Sequence, residues 1–243
     1  MKIAVISDIH ANLHALTAVI NDFERRGVQK VFALGDYAMA GPQPNETISF
    51  VITQPWEMIQ GNTDKMIVEY NNELYESVKN AFPVMAEALK YDISIIGEKQ
   101  KKFIASLPQD KIIEIEGVKI HLVHGSPRKN NENIYPDLFP ETVEEMVKDS
   151  PADLILCGHT HIPCGYQLNN QKTVVNVGSV GRSMTPDAMP CYAILDIEDG
   201  QYTVEHHFAD YDRELPMEII KSHGFDGCNE LANMLIDTTK RHI

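Results

Sequence analysis

Five apolar runs in this chain stop on the same kind of residue. "KIAVIS" leads into Asp8 and His10, "KVFAL" into Asp36, "WEMIQ" into Asn62, "KIHLV" into His124 and "DLILC" into His159 and His161. Short runs rich in Val, Ile and Leu read as buried strands, so each sets a metal-ligating side chain just past a strand end. Ligand sites in α/β sheets form there. One Asp or His at a strand end is ordinary turn chemistry. The repetition constrains the fold to one that gathers these ends together.

The segments between the runs agree with an α/β chain. Residues 12–26, "NLHALTAVINDFERR", read as a helix between two strands, and 44–52 as a short helix with Pro44 in its first turn, a βαβ rhythm. Residues 65–107 read as mostly helical, a cap insertion over the site in which Tyr70, Tyr75 or Tyr91 would stack on a base. The second half holds a helix over 140–148 and hairpins turning at Glu116-Gly117, Asn169-Asn170 and Asp199-Gly200. No Gly/Ser/Pro linker divides the chain, so residues 1–243 are expected to form a single mixed α/β domain of two packed sheets with helices outside. The stretch 213–243 is expected as a peripheral helical tail.

Composition removes several function classes. A formal charge of −14, from 35 acidic and 21 basic side chains, opposes a surface for polymeric nucleic acid. No run of apolar residues is long enough to span a membrane. The short N-terminal apolar run is interrupted by Asp8 and His10, so no signal peptide is expected. Cys157, Cys164, Cys191 and Cys228 show no CxxC spacing, which fits reduced thiols and a cytoplasmic location. "GDYAMAG" lacks the Lys-Ser/Thr of a Walker loop, and "HGSPR" lacks the G-x-S-x-G elbow of a serine hydrolase. His206 and His207 adjoin on an expected strand and so face opposite ways.

What remains is a set of donors: carboxylates from Asp8 and Asp36, an amide from Asn62, and imidazoles from His10, His124, His159 and His161. Residues two apart in an extended segment share a side, which pairs Asp8 with His10 and His159 with His161. Seven donors suit two ions sharing one ligand, with Asp36 the natural bridge because a carboxylate has two oxygens. Mixed nitrogen and oxygen donors without thiolate favour Mn, Fe, Zn, Ni or Co over Ca or Mg. Gly35, Gly61, Gly125 and Gly158 suit backbone that turns sharply or approaches a ligand closely.

The stretches "SDIHANLHAL", "LGDYAMAGPQPNE", "GNTD", "VHGSPR" and "GHTH" resemble, in order, the five motifs of the calcineurin-like metallophosphoesterases, especially their compact prokaryotic phosphodiesterase branch. The resemblance implies a four-layer α/β/β/α sandwich of two mixed sheets with a dinuclear site at the sheet edges. It implies Asp8, His10, Asp36 and His161 around one ion and Asp36, Asn62, His124 and His159 around the other, with Asp36, Asn62 and His124 central to catalysis. The implied reaction is hydrolysis of small phosphodiesters or nucleotides, by a hydroxide bridging two cations about 3.5–4 Å apart. Alternatives on the same fold are a phosphomonoesterase or protein phosphatase, a dinucleoside polyphosphate hydrolase, a nuclease, and a catalytically silent binding scaffold.

The chain departs from many family members in having Thr63 where a histidine serves as general acid, followed by Asp64. A threonine hydroxyl is a poor acid near neutrality, so the expected leaving group needs little protonation, unless water or His14 supplies the proton. Developing negative charge is expected to meet Arg128, Arg182 or the amide of Asn12.

Overall fold

Strand alternation builds the layers. The strands are β1 (Lys2–Ile6), β2 (Lys30–Ala33), β3 (Glu57–Met58), β4 (Asp110–Ile115), β5 (Val118–Val123), β6 (Leu154–Cys157), β7 (Cys164–Gln167), β8 (Thr173–Asn176), β9 (Cys191–Glu198) and β10 (Gln201–Phe208). The computed structural model describes residues 1–238; residues 239–243, the last of the expected tail, lie outside the described residues. Two five-stranded mixed sheets run β10-β9-β1-β2-β3 and β4-β5-β6-β8-β7.

Along β1, Ile3 and Val5 enter the layer between the sheets, where they meet Leu122, Leu154 and Leu156 of the second sheet. Ala4 and Ile6 point the other way, onto Ala15, Leu16 and Val19 of α1 (Leu13–Arg25). In β6, Ile155 and Cys157 likewise meet the opposite outer layer, formed by Val143, Met146 and Val147 of α7 (Pro140–Val147). Helix, sheet, sheet and helix therefore stack in four layers, with β1, β2, β6 and β8 buried on both faces, as their apolar runs require, and β4, β7 and β10 partly exposed at the sheet edges.

β1, β2 and β3 are mutually parallel, as are β5, β6 and β8. Parallel pairing sends all C-terminal ends of one sheet to the same edge. Every donor named above follows one of these strands, and Arg182 follows β8. Hairpins close the outer strands: β4–β5 and β9–β10 turn through Glu116-Gly117 and Asp199-Gly200, all four with φ between 50° and 83°.

Residues 65–107 hold most of α3 (Asn62–Val68), then α4 (Asn72–Ala81), α5 (Pro83–Ile95) and α6 (Glu98–Ser106); α2 (Pro44–Val51) precedes them. The tail departs from the peripheral role expected of it. Ile220 of α8 (Glu214–Ser222) and Cys228, Leu231 and Ala232 of α9 (Cys228–Asn233) are buried in one cluster with Met85, Ala88 and Leu89 of α5. The amphipathic faces of α5 and α9 cover each other, a pairing that local sequence does not announce. Among the described residues, no helix is long and apolar enough to cross a membrane.

Candidate metal centre

The strand ends reach the site by a route other than extended backbone. Asp8, His10, Asp36, His159 and His161 all have φ between 45° and 68°, the left-handed region that L-residues rarely adopt. The period-two argument for Asp8/His10 and His159/His161 is thus corrected: β1 ends at Ile6 and β6 at Cys157, and successive left-handed turns aim the donors instead. Such strain persists only where surrounding bonds over-determine it. Here His10 N–H donates to the Asp36 carbonyl at 2.9 Å, Asp8 N–H to the Gly35 carbonyl at 3.1 Å, and Gly181 N–H to the Asp8 carbonyl at 2.9 Å. Close approach accounts for Gly61, since a Cβ there would lie 2.1 Å from Asp36 Oδ1.

Each carboxylate has one oxygen pinned and one turned inward. Asp8 Oδ2 accepts from His159 N–H and Asp36 Oδ1 from Thr63 N–H, both at 2.9 Å. Asp8 Oδ1 lies 3.2 Å from His161 Nε2 and 3.8 Å from both His10 and His124, yet no donor serves it among the described residues. Asp36 Oδ2 lies 3.7 Å from His10 Nε2 and 3.4 Å from His124 Nε2, between the two halves of the cluster.

The imidazoles are oriented the same way. His10 Nδ1 donates to the Met39 carbonyl at 3.0 Å, His161 Nδ1 to Arg182 at 2.8 Å and His124 Nδ1 to Leu34 at 2.7 Å. A carbonyl only accepts, so these bonds place the neutral ring's lone pair on Nε2. His10 Nε2 and His161 Nε2 then face each other at 3.0 Å, and His124 Nε2 faces Asn62 Oδ1 at 2.9 Å. The facing lone pairs of His10 and His161 repel in a buried pocket unless a cation lies between them, whereas His124 can meet Asn62 either as a protonated donor or with a cation in the proton's place. The ligand atoms of Asp8, His10 and His161 lie within 4.8 Å of one another, as do those of Asp8, Asp36 and His124. The His159 ring stands 5.2 Å from that of His124. The donor set fits divalent cations with nitrogen and oxygen ligands.

Protonation agrees. Burial favours a neutral Asp8, but His161, His124 and His10 override it and hold the carboxyl well below its usual range. Asp36, buried but facing His124 and His10, is held at about 2. Burial, reinforced by His161, pulls His10 down to about 3, and burial with His124 pulls His159 to about 4, so both rings are neutral and able to coordinate at neutral pH. His124 is the exception: burial works against its charged form, but Asp36 and Asp8 raise it to about 10.

Two aspartates in supporting positions escaped the reading from sequence. Asp64 accepts three backbone N–H groups, from Asp36 (2.8 Å), Tyr37 (3.0 Å) and Gly61 (2.9 Å), and so ties the β2 and β3 loops together. Its place at the third position of α3 was the available signal. Asp92 of α5 accepts Ala40 N–H at 2.9 Å, steadying the loop whose Met39 carbonyl orients His10. Burial pushes the Asp92 carboxyl up to about 8. An unfolded aspartate ionises near 4, so between those values the folded chain holds the extra proton and stability falls as pH rises. The Asp92 contribution should therefore lower the melting temperature as pH rises from about 5 to 8, and Asp92→Asn should flatten that slope; parallel profiles would remove Asp92 as its source.

The expected anion contacts divide. Arg182, only 3% exposed, lines the cavity with His10, Asp36, Asn62, His159 and His161. Burial lowers its pKa to about 10, which leaves it charged at neutral pH. Arg128 does not line that cavity; it forms a two-point ion pair with Glu132 at 3.1 and 2.5 Å. Asn12 is spent as the N-cap of α1, accepting from Ala15 N–H and donating to the Gly181 carbonyl and Tyr211 hydroxyl. His14 and the three tyrosines stand away from the cavity lining. Tyr75 bonds Glu87, and Tyr91 stacks on His223 at 4.3 Å. Thr63 does line it, with no imidazole in its place.

A two-sheet sandwich whose parallel strand ends converge on an Asp/Asn/His cluster defines an α/β protein with a candidate centre for divalent cations. Residues 1–200 match the calcineurin-like phosphoesterase superfamily domain, and the chain belongs to that superfamily of metal-dependent phosphoric ester hydrolases. Its members use divalent metal ions and act on small phosphorylated substrates. A protein of Methanocaldococcus jannaschii is 31% identical over 224 residues, covering 86% of this chain and 88% of its own. The fold matches a metallophosphoesterase from Sphaerobacter thermophilus (24% identity, TM-score 0.77, 97% of this chain and 98% of that one). It also matches the protein PH1004 from Pyrococcus horikoshii OT3 (22% identity, TM-score 0.84, 98% and 99%).

Proposed function

We propose that this protein hydrolyses small phosphodiesters or nucleotides with two divalent transition-metal ions, manganese foremost. The observation that carries the reading is Asp36 Oδ2, set between His10 and His124 while each of those rings turns its Nε2 toward a second acceptor. Asp8, His10, Asp36 and His161 would hold one ion, and Asp36, Asn62, His124 and His159 the other. When bound, such ions acidify water and neutralise phosphoryl oxygens. The chain's own contribution is orientation. Backbone carbonyls fix the rings of His10, His124 and His161, backbone N–H groups fix the two carboxylates, and Arg182 supplies a buried positive charge beside the phosphoryl group.

The cavity offers Thr63, Ser77, Asn131 and Asn133 but no acid suited to a poor leaving group. Aryl esters and other substrates with acidic leaving groups should therefore react fastest. Free Cys157, Cys164, Cys191 and Cys228 suit the reducing cytoplasm as the place of action. Purified protein supplied with Mn²⁺ should cleave bis-p-nitrophenyl phosphate and carry about two metal ions per chain by elemental analysis, as the two-ion mechanism requires. A metal-loaded protein inert toward diesters, monoesters and dinucleoside polyphosphates would overturn the proposal.

A further inference from the structure

The cavity around the site measures about 340 Å³, and its apolar side is unused by phosphoryl chemistry. His10, Asp36, Asn62, His159, His161 and Arg182 supply its polar lining; Met66, Val78, Ala81, Phe82 and Met85 supply apolar lining, with the Met85 sulfur 3.6 Å from the Arg182 guanidinium. Helix α4 contributes to that lining. It is amphipathic and none of its residues is fully buried, so Val78, which also packs against the α5 core cluster, and Ala81 keep apolar surface for the cavity.

Phe82 occupies the corner between α4 and α5, where Pro83 opens the next helix and restricts the residue before it to extended backbone. The ring thus stands on a fixed support. No lysine lines the cavity, and Asp36 is its sole carboxylate. Asn133, also in the lining, has a buried Oδ1 with no hydrogen-bond partner among the described residues.

We propose that this apolar side is a specificity subsite for an uncharged, ring-sized organic substituent on the substrate's phosphorus, packed on Phe82 and Met85 and donating an N–H or O–H on the ring to Asn133 Oδ1. The assignment rests on the phosphoesterase reading above. An apolar wall gains from covering a ring and loses from desolvating a second anionic group. Substrates carrying one neutral ring beside the scissile phosphorus fit it, whereas polyphosphate chains extending along that wall do not.

Calorimetric titration of the Mn²⁺-loaded protein with inorganic phosphate, methylphosphonate, phenylphosphonate and an aminophenylphosphonate tests this without turnover. Phenylphosphonate should bind at least about tenfold more tightly than methylphosphonate, and the aminophenyl compound, whose N–H can donate to Asn133 Oδ1, more tightly still. Phe82→Ala should collapse the phenyl-to-methyl ratio, and Asn133→Ala the aminophenyl-to-phenyl ratio. Val78→Ser, on a helix without buried residues, should also reduce the phenyl preference and serves if Phe82→Ala fails to fold. Equal binding of phenyl and methyl compounds, or equal weakening of both in these variants, overturns the subsite alone. Failure of all four anions to bind overturns the phosphoesterase reading as well.

Discussion

Asp36→Asn should lower hydrolysis of bis-p-nitrophenyl phosphate by at least about 10³-fold while leaving the fold in place. The substitution keeps the shape of the side chain, and the oxygen that accepts Thr63 N–H survives. What it removes is the negative charge on Oδ2, the oxygen set between His10 and His124. In the proposed two-ion site a shared carboxylate would serve both ions, and loss of about 4 kcal/mol of charge stabilisation corresponds to about a thousandfold in rate. Stability should change far less than rate. Asp8, Asp36 and Asp64 are buried together and Asp36 adds to the burial that pushes the Asp64 carboxyl up to about 7, so the substitution relieves repulsion there, but it also removes an attraction to the His124 ring. These opposing effects should leave the variant folded, with a cooperative metal-free melting transition. A variant that keeps its rate, or loses rate and fold together, would show Asp36 to be structural.

Metal binding should raise the melting temperature markedly. Without cations the cluster confronts His10 with His161 across 3.0 Å and leaves Asp8 Oδ1 without a donor. A cation that binds only the folded chain stabilises it by about 4 kcal/mol at a thousand times its dissociation constant. At about 2–4 °C per kcal/mol for a domain of this size, Mn²⁺ should add roughly 8–16 °C over protein stripped with chelator. His161→Ala should take away a large part of that gain. Equal melting curves with chelator and with Mn²⁺ would mean that the cluster holds no metal.

Much of the site could be read from the chain because its donors follow parallel strands, and short apolar runs ending in Asp, Asn or His mark such strands locally. Arg182 was legible as the charged end of "GSVGR". Other features were misread for one reason, that local chemistry does not show what a side chain already touches. Arg128 looks like an anion ligand until Glu132 pairs with it, and Asn12 until it caps α1. The tyrosines of 65–107 looked suited to stacking, yet their rings are engaged elsewhere and the half-buried Phe82 faces the cavity.

The order of strands, the positions of their terminal donors and the nitrogen-and-oxygen character of the set are properties of the sequence, because strand periodicity and ligand chemistry act over a few residues. Only the tertiary structure decided how those donors point. Left-handed turns at Asp8, His10, Asp36, His159 and His161 are held by bonds from strands far away in the chain, and the tail joins the core because α5 offers it an apolar face. Conformations that cost energy locally exist only where distant contacts outweigh the cost, so no local reading can foresee them.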